Sequence, residues 1–149
     1  MSAGGVKIID ISNKPVTLRE ALAQARIFLQ PQTLKLIRAK KIPKGDILTL
    51  AQCAGILAAK KVDELIPLCH TLPLEHVDIS FRLEKDGIII LARCKTRSKT
   101  GVEMEAMAAC SVAALTIYDM CKSLDRGAVI KEVKLMEKSG GKSGNYKRK

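Results

Sequence analysis

A cysteine and a histidine lie side by side in the apolar stretch LIPLCHTL, residues 65–72, with a proline on either side of the pair. Cys69 and His70 could be two metal ligands, a nucleophile with its base, or parts of a rigid loop that presents an imidazole to a substrate. A metal site needs three or four suitably spaced ligands, and only His76 and scattered cysteines and carboxylates are available. Adjacent residues of an extended segment point to opposite sides, which disfavours a Cys–His dyad. We therefore expect Cys69 to pack in the core and His70 to contact a substrate, because prolines stiffen the loop; the alternative is a core histidine.

Charged residues interrupt the apolar segment 101–127 near both of its ends. Acids such as Glu103 and Glu105 complement a helix N-terminus, and the Asp119–Lys122 spacing is common in surface ion pairs of little energetic value. A solvent-exposed face of the helix does not by itself explain these charged residues, because the rest of the segment is apolar. Glu105 and Asp119 are 14 residues apart, which in a helix is about 21 Å. If both belong to one site, two subunits contribute to it or each residue marks a different end of a long substrate.

The cationic segment KSGGKSG, residues 138–144, superficially resembles a phosphate-binding loop. The P-loop pattern requires glycine where this chain has Met136, and no helix follows the segment. Flexible backbone N–H groups together with Lys138 and Lys142 could still surround an anion. A disordered, solubilising tail over 138–149 explains the same composition equally well.

The overall charge predicts an anionic partner. The chain has 26 Lys and Arg against 15 Asp and Glu, a net charge of +11, which favours binding of polyanions. Nucleic acid is the first candidate, but two Phe, two Tyr and no Trp provide little surface for base stacking. A small phosphorylated substrate explains the charge equally well.

Chain length and cysteine spacing limit the class of protein. The 149 residues fit one domain, 1–149, with a core of ordinary size. Five cysteines, odd in number and without a C-x-x-C pair, suggest neither a disulfide framework nor a zinc ribbon. No apolar stretch approaches the roughly 20 residues that span a bilayer, and the start lacks a secretory signal. We expect a cytoplasmic protein that binds no membrane.

The order of elements predicts an α+β fold. A strand or ordered arm is expected over 6–11, and a capping box at Thr17 and Glu20 predicts a helix over 18–29. Further elements are helices near 33–40 and 47–60, an irregular segment 61–75, a hairpin 76–97, a long helix 101–127 and a strand 128–136. This order favours an antiparallel sheet with helices packed on one face, most simply in a ferredoxin-like arrangement.

Three blocks of sequence together resemble one family. They are IPKGDILTLAQCAGILAAKKVDELIPLCHTLPL, TGVEMEAMAACSVAALTIYDMCKSLD and EKSGGKSG, and the early IIDISNKPVTLREALAQARI fits as well. The chain resembles the molybdenum cofactor biosynthesis protein C family, the cyclic pyranopterin monophosphate synthases, over nearly its whole length. Thr71 stands where that family usually has proline after the Cys–His pair.

The resemblance implies a ferredoxin-like subunit assembled into a homohexamer, a trimer of dimers, with active sites at subunit interfaces. It implies conversion of 3′,8-cyclo-7,8-dihydroguanosine triphosphate to cyclic pyranopterin monophosphate with release of pyrophosphate. Asp119 and Lys122 then resemble catalytic acid/base residues, with Lys44 close to them in function. The residues that resemble substrate-binding positions are Leu68, Cys69, His70, Glu103, Met104, Glu105, Lys138 and Lys142.

Two other classes of protein remain as alternatives. A basic RNA- or nucleotide-binding module of ferredoxin-like shape would bind long nucleic acid in a salt-sensitive way and have no use for Asp119. A structural oligomer would use the Ala- and Met-rich helix as an interface. We expect no tightly bound cofactor or transition metal, although Mg²⁺ could accompany a triphosphate.

Overall fold

The computed structural model describes residues 4–149, and within this range the chain forms five strands and four helices. The strands are β1 (Thr17–Phe28), β2 (Leu74–Leu83), β3 (Gly87–Ser98), β4 (Val129–Ser139) and β5 (Tyr146–Lys147). The helices are α1 (Pro31–Arg38), α2 (Ile47–Ala59), α3 (Val62–Leu65) and α4 (Glu103–Cys121).

The strands form one antiparallel sheet in the order β2-β3-β1-β4-β5. β1 is the central strand, and it pairs with β3 along its whole length and with β4 on its other side. Helices α2 and α4 pack against each other, and α4 also packs on β1, β3 and β4. The predicted α+β, ferredoxin-like fold with helices on one face of an antiparallel sheet is therefore confirmed.

The helix predicted over 18–29 is wrong, because this segment is the central strand β1. Its small apolar residues Ala21, Ala23, Ala25 and Ile27 alternate along the strand and are all buried, the period of two that a strand requires. Leu, Ala, Arg, Glu and Gln favour a helix intrinsically, but pairing with a strand on either side overrides this preference. Glu20 does not cap a helix; its carboxylate binds Arg93 and Lys95 of β3.

Small side chains allow the helices to lie close to the sheet and to each other. The buried residues of α4 include Ala106, Ala109, Ala113 and Ala114, and on α2 Gly55 faces the backbone of Ala109 so closely that a Cβ atom there would overlap it. Such close approach needs glycine or alanine at the contact. The position of α4 relative to α2 is therefore fixed by small residues in both helices.

Most of the other predicted elements are found with shifted boundaries, but the segment 61–75, predicted to be irregular, contains α3. Pro31 opens α1 instead of preceding it, the hairpin extends by a residue or two at each end, and α4 ends at Cys121, before the predicted 127. Residues 6–11 form no strand and lie in an arm that precedes β1. The segment 138–149, predicted to be a flexible tail, starts within β4 and contains β5, which pairs with Glu137 and Lys138.

Helix α4 is long and apolar enough, by length and composition alone, to cross a bilayer. Nine of its residues are buried within the protein, where the helix packs on the sheet and against α2. A core helix passes the same length and hydropathy test as a membrane helix, so the packing accounts for its apolar composition.

Candidate active site

A cavity of about 210 Å³ lies at the N-terminus of α4. Four segments line this cavity, which we call the His70 pocket: the arm before β1, the loop between α3 and β2, Thr100 and Gly101 before α4, and the first turn of α4. Six of the eight predicted substrate-binding residues line it, namely Leu68, Cys69, His70, Glu103, Met104 and Glu105. His70 and Glu105, which are 35 positions apart in sequence, are thereby brought into one pocket.

Glu105 is the buried acid of this pocket, with 4% of its surface exposed. Burial raises the pKa of its carboxyl group to about 7, and the nearby carboxylates of Glu103 and Asp63 act in the same direction. Removing a carboxylate from water disfavours its charged form, which is why the pKa rises. Glu105 can therefore accept or donate a proton near neutral pH, as a general acid or base must.

Cys69 and His70 both line the pocket, and Cys69 is half-buried and outside the core cluster, so the prediction that Cys69 packs in the core is wrong. The turn in which Cys69 N–H donates to the Ile66 carbonyl interrupts the extended backbone on which that prediction depended. Burial raises the pKa of the Cys69 thiol, and the nearby Glu105 and Asp63 add to the shift. A thiol with a raised pKa is a poor nucleophile at neutral pH.

The imidazole of His70 faces the arm that precedes β1. Its Nε2 lies 2.7 Å from the carbonyl oxygen of Ile9, so Nε2 carries the hydrogen and donates it to that carbonyl. A second contact holds the arm, because Lys99 Nζ donates to the Ser12 carbonyl at 2.8 Å. The arm residues Ile9, Ile11 and Lys14 then form one wall of the His70 pocket, which the sequence alone did not indicate.

The three predicted catalytic residues come together at the other end of α4. Lys122 Nζ lies 2.8 Å from one carboxylate oxygen of Asp119, and Lys44 Nζ lies 3.3 Å from the other. Lys44 comes from the loop between α1 and α2, and it also donates to the Asp119 carbonyl at 3.1 Å. We call these three residues the Asp119 cluster.

The electrostatics of the Asp119 cluster differ from those of the pocket. The ammonium groups of Lys122 and Lys44 hold the pKa of the Asp119 carboxyl below its ordinary value, and Lys122 has the larger effect. Asp119 in turn raises the pKa of Lys122. The cluster is exposed to solvent, so its ion pairs are screened and contribute little to stability.

The helix separates these two groups of residues. Glu105 and Asp119 lie in the same continuous helix, and the helical rise places them about 21 Å apart along its axis. The structure thus confirms that the chain by itself does not bring Glu105 and Asp119 to a single reacting bond.

Lys138 lies in β4 and Lys142 in the loop that follows it, and neither lines the His70 pocket. Lys138 Nζ lies 2.7 Å from Glu103 Oε1 and 3.0 Å from Ser143 Oγ, so it joins the end of β4 to the first turn of α4. Gly140 and Gly141 follow with positive φ angles of 89° and 80°, which favour glycine.

A larger cleft, of about 670 Å³, lies beside Lys142. We call it the Lys142 cleft, and its polar lining consists of Lys14, Thr17, Arg19, Lys142 and Ser143. The Nε atom of Arg19 and the Oγ1 atom of Thr17 are buried and have no hydrogen-bond partner in the described part of the chain. Unpaired buried donors are costly, which makes them a sign of an absent hydrogen-bond acceptor.

Sequence reasoning missed Lys14, Thr17 and Arg19 as candidate site residues. The incorrect prediction of a helix over 18–29 concealed them. In the strand that this segment forms, Thr17 and Arg19 project from the same face, so both can reach one cleft. Lys14 lines both the His70 pocket and the Lys142 cleft, so the two spaces are neighbours.

The described residues contain no group of three or more His, Cys, Asp or Glu side chains positioned to hold a metal ion. The expectation that the protein binds no transition metal tightly remains a prediction that needs elemental analysis.

In this α+β, ferredoxin-like chain a protonatable acid lies in a pocket that shares Lys14 with a basic cleft, an arrangement that suits an enzyme using acid/base chemistry. The MoaC family model matches residues 8–141. A cyclic pyranopterin monophosphate synthase from Peptoclostridium acidaminophilum is 49% identical over 146 residues, covering 98% of this chain and 93% of that protein. The chain therefore belongs to the MoaC family, as its sequence blocks predicted.

Proposed function

We propose that the protein is a cyclic pyranopterin monophosphate synthase of molybdenum cofactor biosynthesis. The reaction would convert (8S)-3′,8-cyclo-7,8-dihydroguanosine 5′-triphosphate to cyclic pyranopterin monophosphate and release pyrophosphate. Family membership and the name of the 49% identical relative support this activity. The chemistry requires proton transfers, which rearrange the ring system, and cations that stabilise the departing pyrophosphate.

One observation carries this proposal: a carboxyl group with a pKa of about 7 lies in a pocket that shares Lys14 with a cleft containing unpaired cationic and hydroxyl donors. We assign the ring system to the His70 pocket and the phosphates to the Lys142 cleft. The pocket alone, at about 210 Å³, is smaller than the roughly 300–1,000 Å³ typical of ligand sites. A nucleoside triphosphate would therefore have to extend into the cleft.

The Asp119 cluster completes the proposed site only when a second subunit is present. Asp119, Lys122 and Lys44 would supply acid/base groups, and Lys138 and Lys142 would bind phosphate together with Arg19. Glu105 and Asp119 are too far apart along α4 to act on one bond within one subunit. We therefore propose that the pocket of one subunit faces the Asp119 cluster of another.

An exposed apolar surface on the two long helices supports such an assembly. Leu50 and Leu57 of α2 and Leu115 of α4 are each about half exposed, and Met104, which lines the His70 pocket, is 40% exposed. Several large apolar side chains left exposed on two helices that pack together favour an interface with another protein surface. We propose a second copy of this chain as its partner, within a homohexamer built as a trimer of dimers and located in the cytoplasm.

The activity is tested by incubating the purified protein with the cyclo-dihydroguanosine triphosphate and measuring pyrophosphate and a fluorescent pterin derivative. Release of both in equal amounts is expected, and assays with and without added Mg²⁺ decide whether the ion has to accompany the triphosphate. Salt-sensitive binding of long RNA without turnover of the triphosphate would instead favour the basic binding module.

The assembly is tested by sedimentation of the wild type and of Leu57→Lys and Leu115→Lys. We expect a homo-oligomer for the wild type and dissociation for both lysine variants, because burying a lysine in an apolar interface is costly. Leu57→Met, which keeps the apolar surface, is the matched control. A stable and active monomer of 16.2 kDa would contradict the shared site.

A further inference from the structure

The loop that carries His70 has few hydrogen bonds that hold it in place. Its first part is fixed, because Ile66 N–H donates to the Val62 carbonyl and Cys69 N–H donates to the Ile66 carbonyl. Its end is also fixed, because Thr96 Oγ1 donates to the Pro73 carbonyl at 2.7 Å. Between these points, no backbone-to-backbone hydrogen bond involves residues 70–72 anywhere in the range 4–149.

Two side-chain hydrogen bonds hold this middle part of the loop, in addition to the packing of Leu72 against the core. His70 Nε2 donates to the Ile9 carbonyl, and Thr71 Oγ1 donates to Asp63 Oδ2 of α3 at 2.6 Å. With Nε2–H donated to Ile9, Nδ1 is the ring nitrogen of His70 that can exchange a proton or a hydrogen bond with a substrate. Among the described residues, the Thr71–Asp63 bond is the only other side-chain hydrogen bond that ties residues 70–72 to the rest of the subunit.

We propose that Thr71 and Asp63 are positioning residues, whose hydrogen bond keeps the His70 loop against α3 while the imidazole contacts a substrate. The bond joins residues 8 positions apart and closes the loop over its irregular part. Closing a short loop in this way lowers the number of conformations open to the His70 backbone. The substrate assignment in this inference rests on the proposed function, whereas the loop geometry is independent of it.

Asp63 also contributes a charge to the pocket. The titratable and charged groups that face Glu105 come from several elements: Glu103 of its own helix, Asp63 of α3, Cys69 and His70 of the loop, Cys94 of β3, and Lys14 of the arm. The Asp63 carboxylate is one of the groups that raise the pKa of Glu105. Changing its charge therefore has a different consequence from removing the Thr71 hydroxyl.

Three variants distinguish the effect of the loop's position from the effect of the Asp63 charge. Thr71→Val removes the hydroxyl at nearly constant volume, Thr71→Ser keeps it, and Asp63→Asn keeps an acceptor oxygen but removes the charge. In the wild type and each variant, amide hydrogen exchange over residues 66–73 and the pH profile of kcat/KM for the cyclo-dihydroguanosine triphosphate are measured.

We expect Thr71→Val to speed exchange in this loop and to lower kcat/KM by roughly threefold to tenfold, the range that a single hydrogen bond produces. Thr71→Ser should stay within about twofold of the wild type. Asp63→Asn should preserve slow exchange but move the limb of the pH profile that reports Glu105 to lower pH, a shift that Thr71→Val does not cause. Asp63→Ala, which removes the acceptor, should reproduce the exchange of Thr71→Val and provides a second route if that variant does not fold.

Equal exchange rates and equal kcat/KM for Thr71→Val and Thr71→Ser would overturn the positioning role. Failure of the wild type to turn over the substrate would instead remove the proposed function, and hydrogen exchange would still decide whether the Thr71–Asp63 bond holds the loop.

Discussion

The two ends of α4 present carboxyl groups in opposite environments. Glu105 at the N-terminal end is buried, and burial raises its pKa to about 7. Asp119 at the C-terminal end is 56% exposed, and the ammonium groups of Lys122 and Lys44 hold its pKa below the ordinary value. In the isolated subunit Glu105 can thus exchange protons near neutral pH, whereas Asp119 remains ionised.

This difference shows which part of the proposed site is complete in one subunit. Glu105 already has the proton affinity that acid/base work needs. Asp119 acquires a similar proton affinity only if its lysines bind other groups, for example phosphate oxygens, or if a neighbouring surface excludes water from its carboxylate. Both changes would occur if a second subunit placed its bound substrate against the Asp119 cluster.

The largest expected effect is on turnover at the Asp119 cluster. Asp119→Asn and Lys122→Ala should fold and assemble normally but each lower kcat by roughly a hundredfold or more, the scale of acid/base groups. The double variant should be scarcely worse than either single variant, because groups that serve one step are not additive. Steady-state and single-turnover assays measure these effects.

The matched control for these variants is Glu64→Gln, which breaks the Lys61–Glu64 pair of the same spacing and similar exposure. It should leave turnover unchanged. If Asp119→Asn behaved like Glu64→Gln, with near-normal turnover and a slightly lower melting temperature, the cluster would have no catalytic role, and Glu105 and His70 would remain as the acid/base candidates.

The second prediction concerns the pH dependence of stability at Glu105. Because the pKa is about 7 in the folded protein against 4.5 for the free side chain, the folded state binds the proton more tightly. The free energy of unfolding should therefore fall as pH rises from about 4.5 through about 7, by on the order of 3 kcal/mol. Below pH 4 the carboxyl group is protonated in both states and contributes no such difference.

Glu105→Gln should remove this fall, so that the variant is more stable than the wild type at pH 8 and comparable at pH 4. Urea unfolding at several pH values and at one protein concentration measures the difference. If the free energy of unfolding changed with pH in the same way for the wild type and Glu105→Gln, Glu105 would not be buried in its charged form.

The third prediction concerns the Lys142 cleft. Arg19→Ala and Lys142→Ala should weaken binding of inorganic pyrophosphate by about tenfold, a typical loss for a charged hydrogen bond, and more at low salt than at high salt. Lys85→Ala, which removes a charge from the turn between β2 and β3, is the control for net charge and should bind normally. Equal weakening by all three variants, measured by calorimetry, would indicate general electrostatic attraction without a defined cleft.

The smallest expected effect is on the acid stability contributed by Asp119. Its pKa is lowered in the folded protein, so its ion pairs stabilise the fold above the ordinary pKa, and this contribution is lost as pH falls through the lowered value. The stability contributed by Asp119 therefore changes with pH in the opposite direction to that contributed by Glu105. The melting temperature of Asp119→Asn should differ slightly from that of the wild type at pH 7 and converge with it near pH 2, and a constant difference would contradict this sign.

Sequence patterns predicted the fold class and most of the elements but misassigned the central strand. The alternation of Ala21, Ala23, Ala25 and Ile27 with larger side chains was visible in the sequence, yet alanine is the strongest helix former and the capping box at Thr17 agreed with it. Strand pairing with β3 and β4 decides the outcome, and such nonlocal pairing has no local signal. The same error hid Arg19 and Thr17 from the list of site residues.

The candidate site was predictable where sequence blocks carry it and unpredictable where tertiary contacts create it. The resemblance to a known family indicated His70, Glu105 and Asp119, and the helical rise indicated that they do not all meet. The raised pKa of Glu105, the contact of His70 with Ile9 and the Thr71–Asp63 bond depend on which loops fold over the pocket. None of these follows from residue spacing.

Complementation between inactive variants tests most directly the claim that the active site is shared between subunits. His70→Ala and Asp119→Asn, each inactive by itself, are mixed under conditions in which subunits exchange, and turnover of the cyclo-dihydroguanosine triphosphate is measured. If each site takes its pocket from one subunit and its Asp119 cluster from another, an equal mixture should recover about a quarter of wild-type activity, as random pairing across a symmetric interface requires. A mixture that forms hybrid oligomers but stays as inactive as its parents would contradict the shared site.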